Sequence, residues 1–387
     1  MRILIVYDCL FPYTIGGGER WYRNLAERLV ADGHEVTYLT LRQWDRGERP
    51  QLPGAAVRVA GPRMALYVEG RRRIAPPLVF GAGVLWHLLR HGRRYDVVHT
   101  ASFPFFSLLA AALVRPLRRY GLVVDWFELW SAQYWRDYLG AAGGRVGWSI
   151  QRLCLRVPQR AFTLSRSTAE RLRAEGVHGD VEVLTGLQDV PPAGGPPQPA
   201  QPVVVFAGRH IPEKRVPALV RGFAALRETA PELRLVVFGD GPDRAEVLSL
   251  IDAHGLGDVA RAPGFVEREE LEQTMASALC MVLPSRREGY GLVVVEASAR
   301  GVPSVVVADR DNAATELVDE GENGFVAASA SPQDIADAIL RVRAAGAPLR
   351  ASTAAWFERN RERLSLSGSL DRVAAAYAEP RRAIARS

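Results

Sequence analysis

Two cations five residues apart, Arg209 and Lys214, flank the loop Gly208-Arg209-His210-Ile211-Pro212-Glu213-Lys214-Arg215, which leaves an apolar run at 203–207 and leads into a helix predicted over 216–229. Cations on a loop that feeds a helix N-terminus stand where a diphosphate would sit. Lys214 is set apart by composition as well, since it is the one lysine among 49 Lys and Arg. Its ammonium is a compact point charge, suited to a phosphate without the planar fork of arginine.

A second constellation, Ser285-Arg286-Arg287-Glu288-Gly289-Tyr290-Gly291-Leu292, follows the apolar run 279–284 and precedes a segment ending before Gly301. The run reads as a buried strand and the segment as a helix, although Leu292-Val293-Val294-Val295 is apolar and largely β-branched and suits a strand on propensity alone. Gly289 and Gly291 let the backbone turn and approach a ligand, and the free N–H groups of the first helical turn suit a phosphate. Glu288 lies in the loop and Glu296 about two turns further on, so the two carboxylates are expected to grip different parts of one ligand. A surface pair of Glu296 with Arg300 at i+4 is the plainer alternative for that glutamate.

These loops need a framework, and the remaining pattern supplies one. Strands at 2–7, 35–41, 56–60, 96–99, 121–125, 161–164 and 181–184 interleave with helices near 20–32, 77–91, 105–118 and 168–175, which is βαβ alternation with a mostly parallel sheet. A Pro/Gly-rich linker at 191–202 precedes a second series with strands at 203–207, 233–238, 259–266, 279–283 and 304–308. From 331 the chain is helical, with a last helix near 365–378. With 387 residues, 48% hydrophobic and 24% charged, the chain is long enough for two ordinary globular domains.

The first half carries the positive charge, with 26 arginines against 17 acidic residues in 1–190. Arg71-Arg72-Arg73 and Arg90, Arg93 and Arg94 border apolar segments; they form either a solvated basic face or a contact for an anionic membrane surface. No recognition motif supports nucleic-acid binding. The most apolar run, 102–114, is too short to span a bilayer, and the first residues lack the marks of a signal peptide. Three cysteines, Cys9, Cys154 and Cys280, have no metal-ligand spacing and cannot all pair, so a reducing cytoplasm is the expected location.

Other candidates in the first half stay open at this level. Gly16-Gly17-Gly18 lies between the first strand and helix without dinucleotide-fingerprint spacing, and either admits a phosphate or only turns a tight corner. His99, at a strand end, touches an acceptor or caps its strand. Asp125-Trp126-Phe127-Glu128 opens an aromatic stretch with Trp130 and Trp135, which stacks on a sugar or packs as a lid on its own domain. Asp309-Arg310-Asp311 has a spacing that can hold a divalent cation, but no metal site is expected from its position.

Taken in order, Gly16-Gly17, Gly208-Arg209 to Lys214, Gly239-Asp240-Gly241-Pro242, Gly264-Phe265-Val266 and Glu288 with Glu296 resemble the retaining GT-B glycosyltransferases of family GT4. The resemblance covers almost the whole chain and is strongest over 203–326. It implies an α/β GT-B architecture, two Rossmann-like doubly wound domains facing a central cleft. An acceptor-binding domain at 1–190, the linker 191–202, a nucleotide-sugar-binding domain at 203–364 and a segment 365–387 crossing back to the first domain would follow. The implied donor is a nucleotide-diphosphate sugar, with no cofactor and no metal. Arg209 and Lys214 would neutralise its diphosphate, Glu288 would contact sugar hydroxyls and Glu296 the ribose. Main chain of Gly289, Tyr290, Gly291 and Leu292 would face sugar and phosphate, Gly16-Gly17 would close on the diphosphate, and the stretch near Gly239 and Val266 would complete the nucleotide site.

The acceptor implied is a hydroxyl of a lipid-linked molecule, polysaccharide or natural product, with Asp125, Glu128 and His99 as candidate contacts. A hexosyltransferase-like activity in cell-envelope polysaccharide synthesis fits, on the cytoplasmic side and with possible membrane association. The chain departs from many relatives at Asp125-Trp126-Phe127-Glu128, where a histidine is common, and at Thr185, where Asn-Gly is frequent. A sugar-nucleotide epimerase of the same fold and an inactive sugar-nucleotide-binding protein are the rival readings.

Overall fold

The protein is described here from a computed structural model covering residues 1–377 apart from Arg46, Arg49, Glu69, Gly70, Ala193 and Gly194. The chain divides into two units, one formed by Met1–Leu187 together with the chain from Leu366 on, the other by Gln188–Ser365. In the first, strands β1 (Arg2–Val6), β2 (Glu35–Leu41), β3 (Ala56–Gly61), β4 (Val97–Ala101), β5 (Gly121–Trp126), β6 (Arg160–Thr163) and β7 (Val181–Val183) form one sheet in the order β3-β2-β1-β4-β5-β6-β7. Every neighbouring pair is parallel. In the second, β8 (Val203–Ala207), β9 (Arg234–Phe238), β10 (Ala260–Gly264), β11 (Cys280–Leu283), β12 (Ser304–Val307) and β13 (Gly324–Ala327) are parallel in the order β10-β9-β8-β11-β12-β13. Both sheets are doubly wound. In each the strand order reverses beside the first strand, between β1 and β4 and between β8 and β11, and a crevice forms at the carboxyl ends of such a pair.

The strands follow from composition: β1, β4, β5, β11 and β12 are near-continuous apolar runs, and helices cover their side chains. In the first unit the helices are α1 (Gly17–Ala31), α2 (Ala75–His91), α3 (Phe106–Arg118), α4 (Ala132–Leu155) and α5 (Arg166–Ala174). The second unit carries α6 (Val216–Ala224), α7 (Arg244–Ala253), α8 (Arg268–Ser277), α9 (Leu292–Ser298) and α10 (Pro332–Asn360), the last bent at Gly346, where φ is 56°. α6 stops short of the predicted 229. Within the predicted linker, Pro197 packs beside Gly301 and the Gln201 N–H bonds to the Ser277 carbonyl at 2.8 Å, both contacts within the second unit.

The last helix, α11 (Leu366–Ala376), belongs to the first unit; residues 378–387 of the segment predicted to cross back lie outside the described residues. Arg28 on α1 pairs with Asp371 at 2.5 Å, and Ser369 accepts the Gly186 N–H at 3.0 Å. The strongest tether is buried. Tyr377 Oη lies 2.6 Å from His99 Nδ1, His99 Nε2 lies 3.0 Å from Asp125 Oδ1, and Trp21 Nε1 donates to Asp125 Oδ2 at 2.8 Å. All four residues are 0–1% exposed, and burial drives the Tyr377 phenol well above its usual pKa, so it stays protonated.

The carboxyl edge of the second sheet is shaped by glycines. Gly239, with φ 108°, follows β9, and a Cβ there would sit 1.9 Å from the Gly208 carbonyl oxygen; one on Gly241 would sit 2.4 Å from that of His210. The two loops therefore lie backbone against backbone, joined by Gly208 N–H to Phe238 O at 3.2 Å, His210 N–H to Asp240 O at 2.8 Å and Asp243 N–H to His210 O at 2.9 Å.

Two outcomes test this framework. Replacing Tyr377 by Phe leaves a buried imidazole nitrogen without its partner and should lower stability by about 1–3 kcal/mol in denaturant unfolding. Unchanged stability would show that the tether does not hold α11. Gly239→Ala meets main chain rather than a flexible side chain and should cost at least ~1–3 kcal/mol. A thermal melt matching the parent protein would contradict the close approach of the two loops.

Candidate functional site

The loops after β8 and β11 meet at the strand-order reversal of the second sheet. After β8 the chain makes a 3-10 turn, Pro212–Lys214, and Arg215 takes a left-handed conformation, φ 49°, that redirects the backbone into α6. After β11, Arg287–Glu288 forms a short parallel bridge with Asp311–Asn312. The geometry brings Lys214 onto Glu288: the ammonium contacts carboxylate oxygen Oε1, and Ser285 Oγ donates to the same atom at 2.8 Å. Their side chains are 19% and 11% exposed, so the pair is shielded yet reachable. Arg286 N–H to Glu213 O at 2.8 Å ties the loops a second time, and Arg215 pairs with Asp309 at 3.0 Å.

Three neighbours carry the geometry without having been singled out in the sequence. Ser285 was visible only as part of its motif. Asn312 is buried and gives Nδ2 to the carbonyls of Ser285 at 3.1 Å and Val307 at 2.8 Å, while its Oδ1 accepts the Ala314 N–H at 3.1 Å. Burial pulls the Arg287 guanidinium down to about 10, opposed by Asp311 and Glu288, which leaves it a cation at neutral pH. Asp309, the first acid of the Asp-x-Asp spacing, is engaged by Arg215; among the described residues no group of three or more His, Cys, Asp or Glu stands where it could hold a metal ion.

The other donor-side candidates fall around this edge. Arg209 is exposed, while its neighbour His210 is buried edge-on to Phe206, and burial lowers its pKa. Gly291 caps α9 at φ 97°, and a Cβ there would lie 2.6 Å from that of Ala314; positive φ falls on this glycine and not on Gly289. Leu292 opens α9, so the helix reading prevails over strand propensity. Tyr290 is 5% exposed, with its phenol pushed up by burial, so the side chain sits in the protein and only main chain is offered. Glu296 is half-buried on α9. Arg300 binds the Glu296 carbonyl at 2.8 Å and the Glu272 carboxylate at 3.3 Å. Val266 is half-buried two residues beyond β10.

In the first unit the glycine loop resolves residue by residue. Gly16 caps α1 in extended backbone, Gly17 has open space where a Cβ would project, and a Cβ on Gly18 would lie 2.6 Å from Tyr7 Oη. Gly18 is thus the tight corner and Gly17 the open face. The acceptor-side candidates are corrected in part. His99 and Asp125 are locked in the buried network with Trp21 and Tyr377 and present no surface to a substrate, because their polar atoms are directed at each other. Glu128 alone of the three is exposed, and it accepts the Trp130 indole N–H at 3.0 Å.

The aromatic stretch is divided between a strand, a short loop and a helix. Trp126 is a buried residue of β5 bonded to Gln159, and α4 begins at Ala132 behind a Ser131 cap. Gln151, buried, accepts from Trp130 N–H at 3.1 Å and Trp135 Nε1 at 3.2 Å and donates to the Trp130 carbonyl at 2.8 Å. That pins the aromatics to their own unit, with Trp130, Tyr134 and Tyr138 half-exposed. Arg72 contacts the buried Asp8 carboxylate and lies 4.7 Å from the Phe103 ring centre, so it is no freely solvated cation. The side chain of Arg71 lies outside the described residues.

Comparison with known proteins fits this arrangement. Residues 15–185 match the model described as Glycosyltransferase Family 4, and residues 193–354 that of Glycosyl transferases group 1. The chain is 31% identical to an alpha-D-kanosaminyltransferase of Streptomyces kanamyceticus over 46% of its own length and 46% of that protein, so the match spans about half of the relative. Sucrose-phosphate synthase from Thermosynechococcus elongatus has the same fold, with a TM-score of 0.80 and 21% identity over 100% of both chains. Anabaena HepE in complex with UDP-glucose superposes with a TM-score of 0.68 and 17% identity, covering 98% of this chain and 100% of that one. Two doubly wound parallel sheets and consecutive matches over nearly the whole length make the chain a GT-B glycosyltransferase of the family 4 type.

Proposed function

We propose that the protein is a retaining glycosyltransferase that moves a sugar from a nucleotide-diphosphate sugar to an acceptor hydroxyl without a metal. The observation that carries this reading is the Lys214–Glu288 contact at the strand-order reversal of the second sheet, with Arg209 and the main chain before α9 on the same edge. UDP-glucose bound to a protein of the same fold supports a nucleotide sugar as donor.

The chemistry follows from where charge appears. Breaking the anomeric C–O bond leaves negative charge on the departing diphosphate and positive charge on the ring. Cations held in place before the reaction stabilise that separation without reorganising. Lys214 keeps N–H donors beyond the one facing Glu288 and turns them to the phosphate; Arg209 adds a mobile cation. Glu288, held by Ser285 and Lys214, accepts from sugar hydroxyls, and Glu296 from the ribose. The acceptor hydroxyl attacks on the face from which the phosphate leaves, and its proton passes to the leaving phosphate oxygen, so configuration is retained. The acceptor is a hydroxyl of a lipid-linked, polysaccharide or natural-product molecule, met by the first unit through Glu128 and its neighbouring aromatics. Work at the cytoplasmic face of the cell envelope fits such acceptors.

Screening nucleotide sugars by donor hydrolysis and then by transfer identifies the donor. With it, Lys214→Ala and Glu288→Gln should each lower turnover at least ~100-fold while the proteins remain folded. Near-full activity in either variant rejects the assignment. Isomerised donor in the absence of any acceptor would make the protein an epimerase instead, and donor binding without turnover would make it a sugar-nucleotide-binding protein.

A further inference from the structure

α2 and α3 run side by side in the same direction. A Cβ on Gly81 would lie 2.4 Å from Phe106, and one on Gly92 would lie 2.8 Å from Arg118, so corresponding turns of the two helices touch. Their outer stripes are apolar where a surface helix would be polar. On α2, Leu78 and Trp86 are 48% and 61% exposed, and on α3, Leu113 and Leu117 are 69% and 65% exposed. The stripes keep helical spacing at 78, 82, 86 and 89 and at 109, 113 and 117, so each forms one face. Large apolar side chains gathered this way mark an interaction surface.

Charge identifies the occupant. Across residues 71–124 the one acidic residue is Asp96, and the Arg2 guanidinium pairs with it. Arginines gather at the C-terminal ends of both helices: Arg90 lies 4.8 Å over the Trp86 ring, Arg93 and Arg94 are exposed beyond α2, and Arg119 is exposed beyond α3. Arg118, by contrast, is turned back onto the Leu89 carbonyl. Because α2 and α3 lead into β4 and β5, this cationic rim lies at the amino-terminal edge of the sheet. The glycine loop and Glu128 follow strand C-termini at the other edge.

We propose that α2 and α3 form a docking face for an anionic bilayer surface. Trp86, Leu113 and Leu117 enter the headgroup region and Arg90, Arg93, Arg94 and Arg119 meet lipid phosphates. An apolar stripe without acids, bordered by arginines, is the composition of a helix that lies in such an interface. Docked this way, the face leaves the edge with the glycine loop and Glu128 clear of the bilayer. It does not depend on the glycosyl-transfer reading, and its test needs no turnover.

The full chain is sedimented with vesicles of phosphatidylcholine, with and without phosphatidylglycerol. The protein should pellet with the anionic vesicles and not with the zwitterionic ones, and added salt should weaken the binding. Leu113→Ser with Leu117→Ser, and separately Arg93→Glu with Arg94→Glu, should each reduce binding at least ~10-fold, with circular dichroism melts like the parent's. The proposal is overturned if the parent does not pellet with anionic vesicles or if both double variants bind as it does. It is equally overturned if light scattering finds a dimer that Leu113→Ser with Leu117→Ser separates, which would give the face to a second copy.

Discussion

The ion pair between Lys214 and Glu288 is the constraint on which the candidate site turns. Each residue comes from a different loop, Lys214 from a 3-10 turn and Glu288 from a two-residue bridge to Asp311–Asn312. The carboxylate receives the ammonium and the Ser285 hydroxyl on one oxygen, while Arg286 N–H and Glu213 O join the main chains. Behind them Asn312 holds the Ser285 carbonyl against the end of β12. A partly shielded pair of this kind gains little stability on balance, since desolvation offsets much of the attraction. What it contributes is position: charge of both signs is fixed on one loop edge, as the proposed electrostatic catalysis would require.

The first unit uses buried polar groups in the opposite sense. His99, Asp125, Trp21 and Tyr377 sit wholly inside; the Trp21–Asp125 and Tyr377–His99 hydrogen bonds and the 3.0 Å His99–Asp125 contact join β4, β5, α1 and the residue after α11. Leaving the buried Asp125 or His99 without its hydrogen-bonded partner would cost more than the bond it makes. The network thereby makes α11 part of the core of the first unit. Asp8, two residues past β1, repeats the pattern, with Arg72 supplying its counter-charge.

Much of this was legible in the sequence because it rests on local rules. Apolar runs marked every strand of both sheets but β13 within a residue or two, and the loops at their carboxyl ends followed. Gly239 and Gly291 lie at positive φ as such loops require. Helix α9 shows the limit of propensity: Leu292–Ser298 is helical despite three consecutive valines, because Gly291 starts it and the packed Val294, Val295 and Ala297 face the core. What was hidden depends on contacts between residues far apart. His99 and Asp125 stood as acceptor-side candidates at strand ends, and their partners 278 and 104 residues away show them to be interior. Asn312 had no motif of its own, and Trp126 gave no sign that it belonged to a strand rather than a loop.

The single lysine also gains a physical reason from its surroundings. An arginine at 214 would present a planar fork whose best partner is a carboxylate taken through both oxygens. On Glu288 that geometry would compete with Ser285, which already occupies Oε1. It would also leave the carboxylate fewer lone pairs for hydroxyl groups. An ammonium meets one oxygen and directs its remaining donors elsewhere, so a single cation can face a carboxylate and a phosphate at once. In a chain whose other 48 basic residues are arginine, position 214 is, on the proposed reading, where a point charge with three separate donors would serve better than a fork.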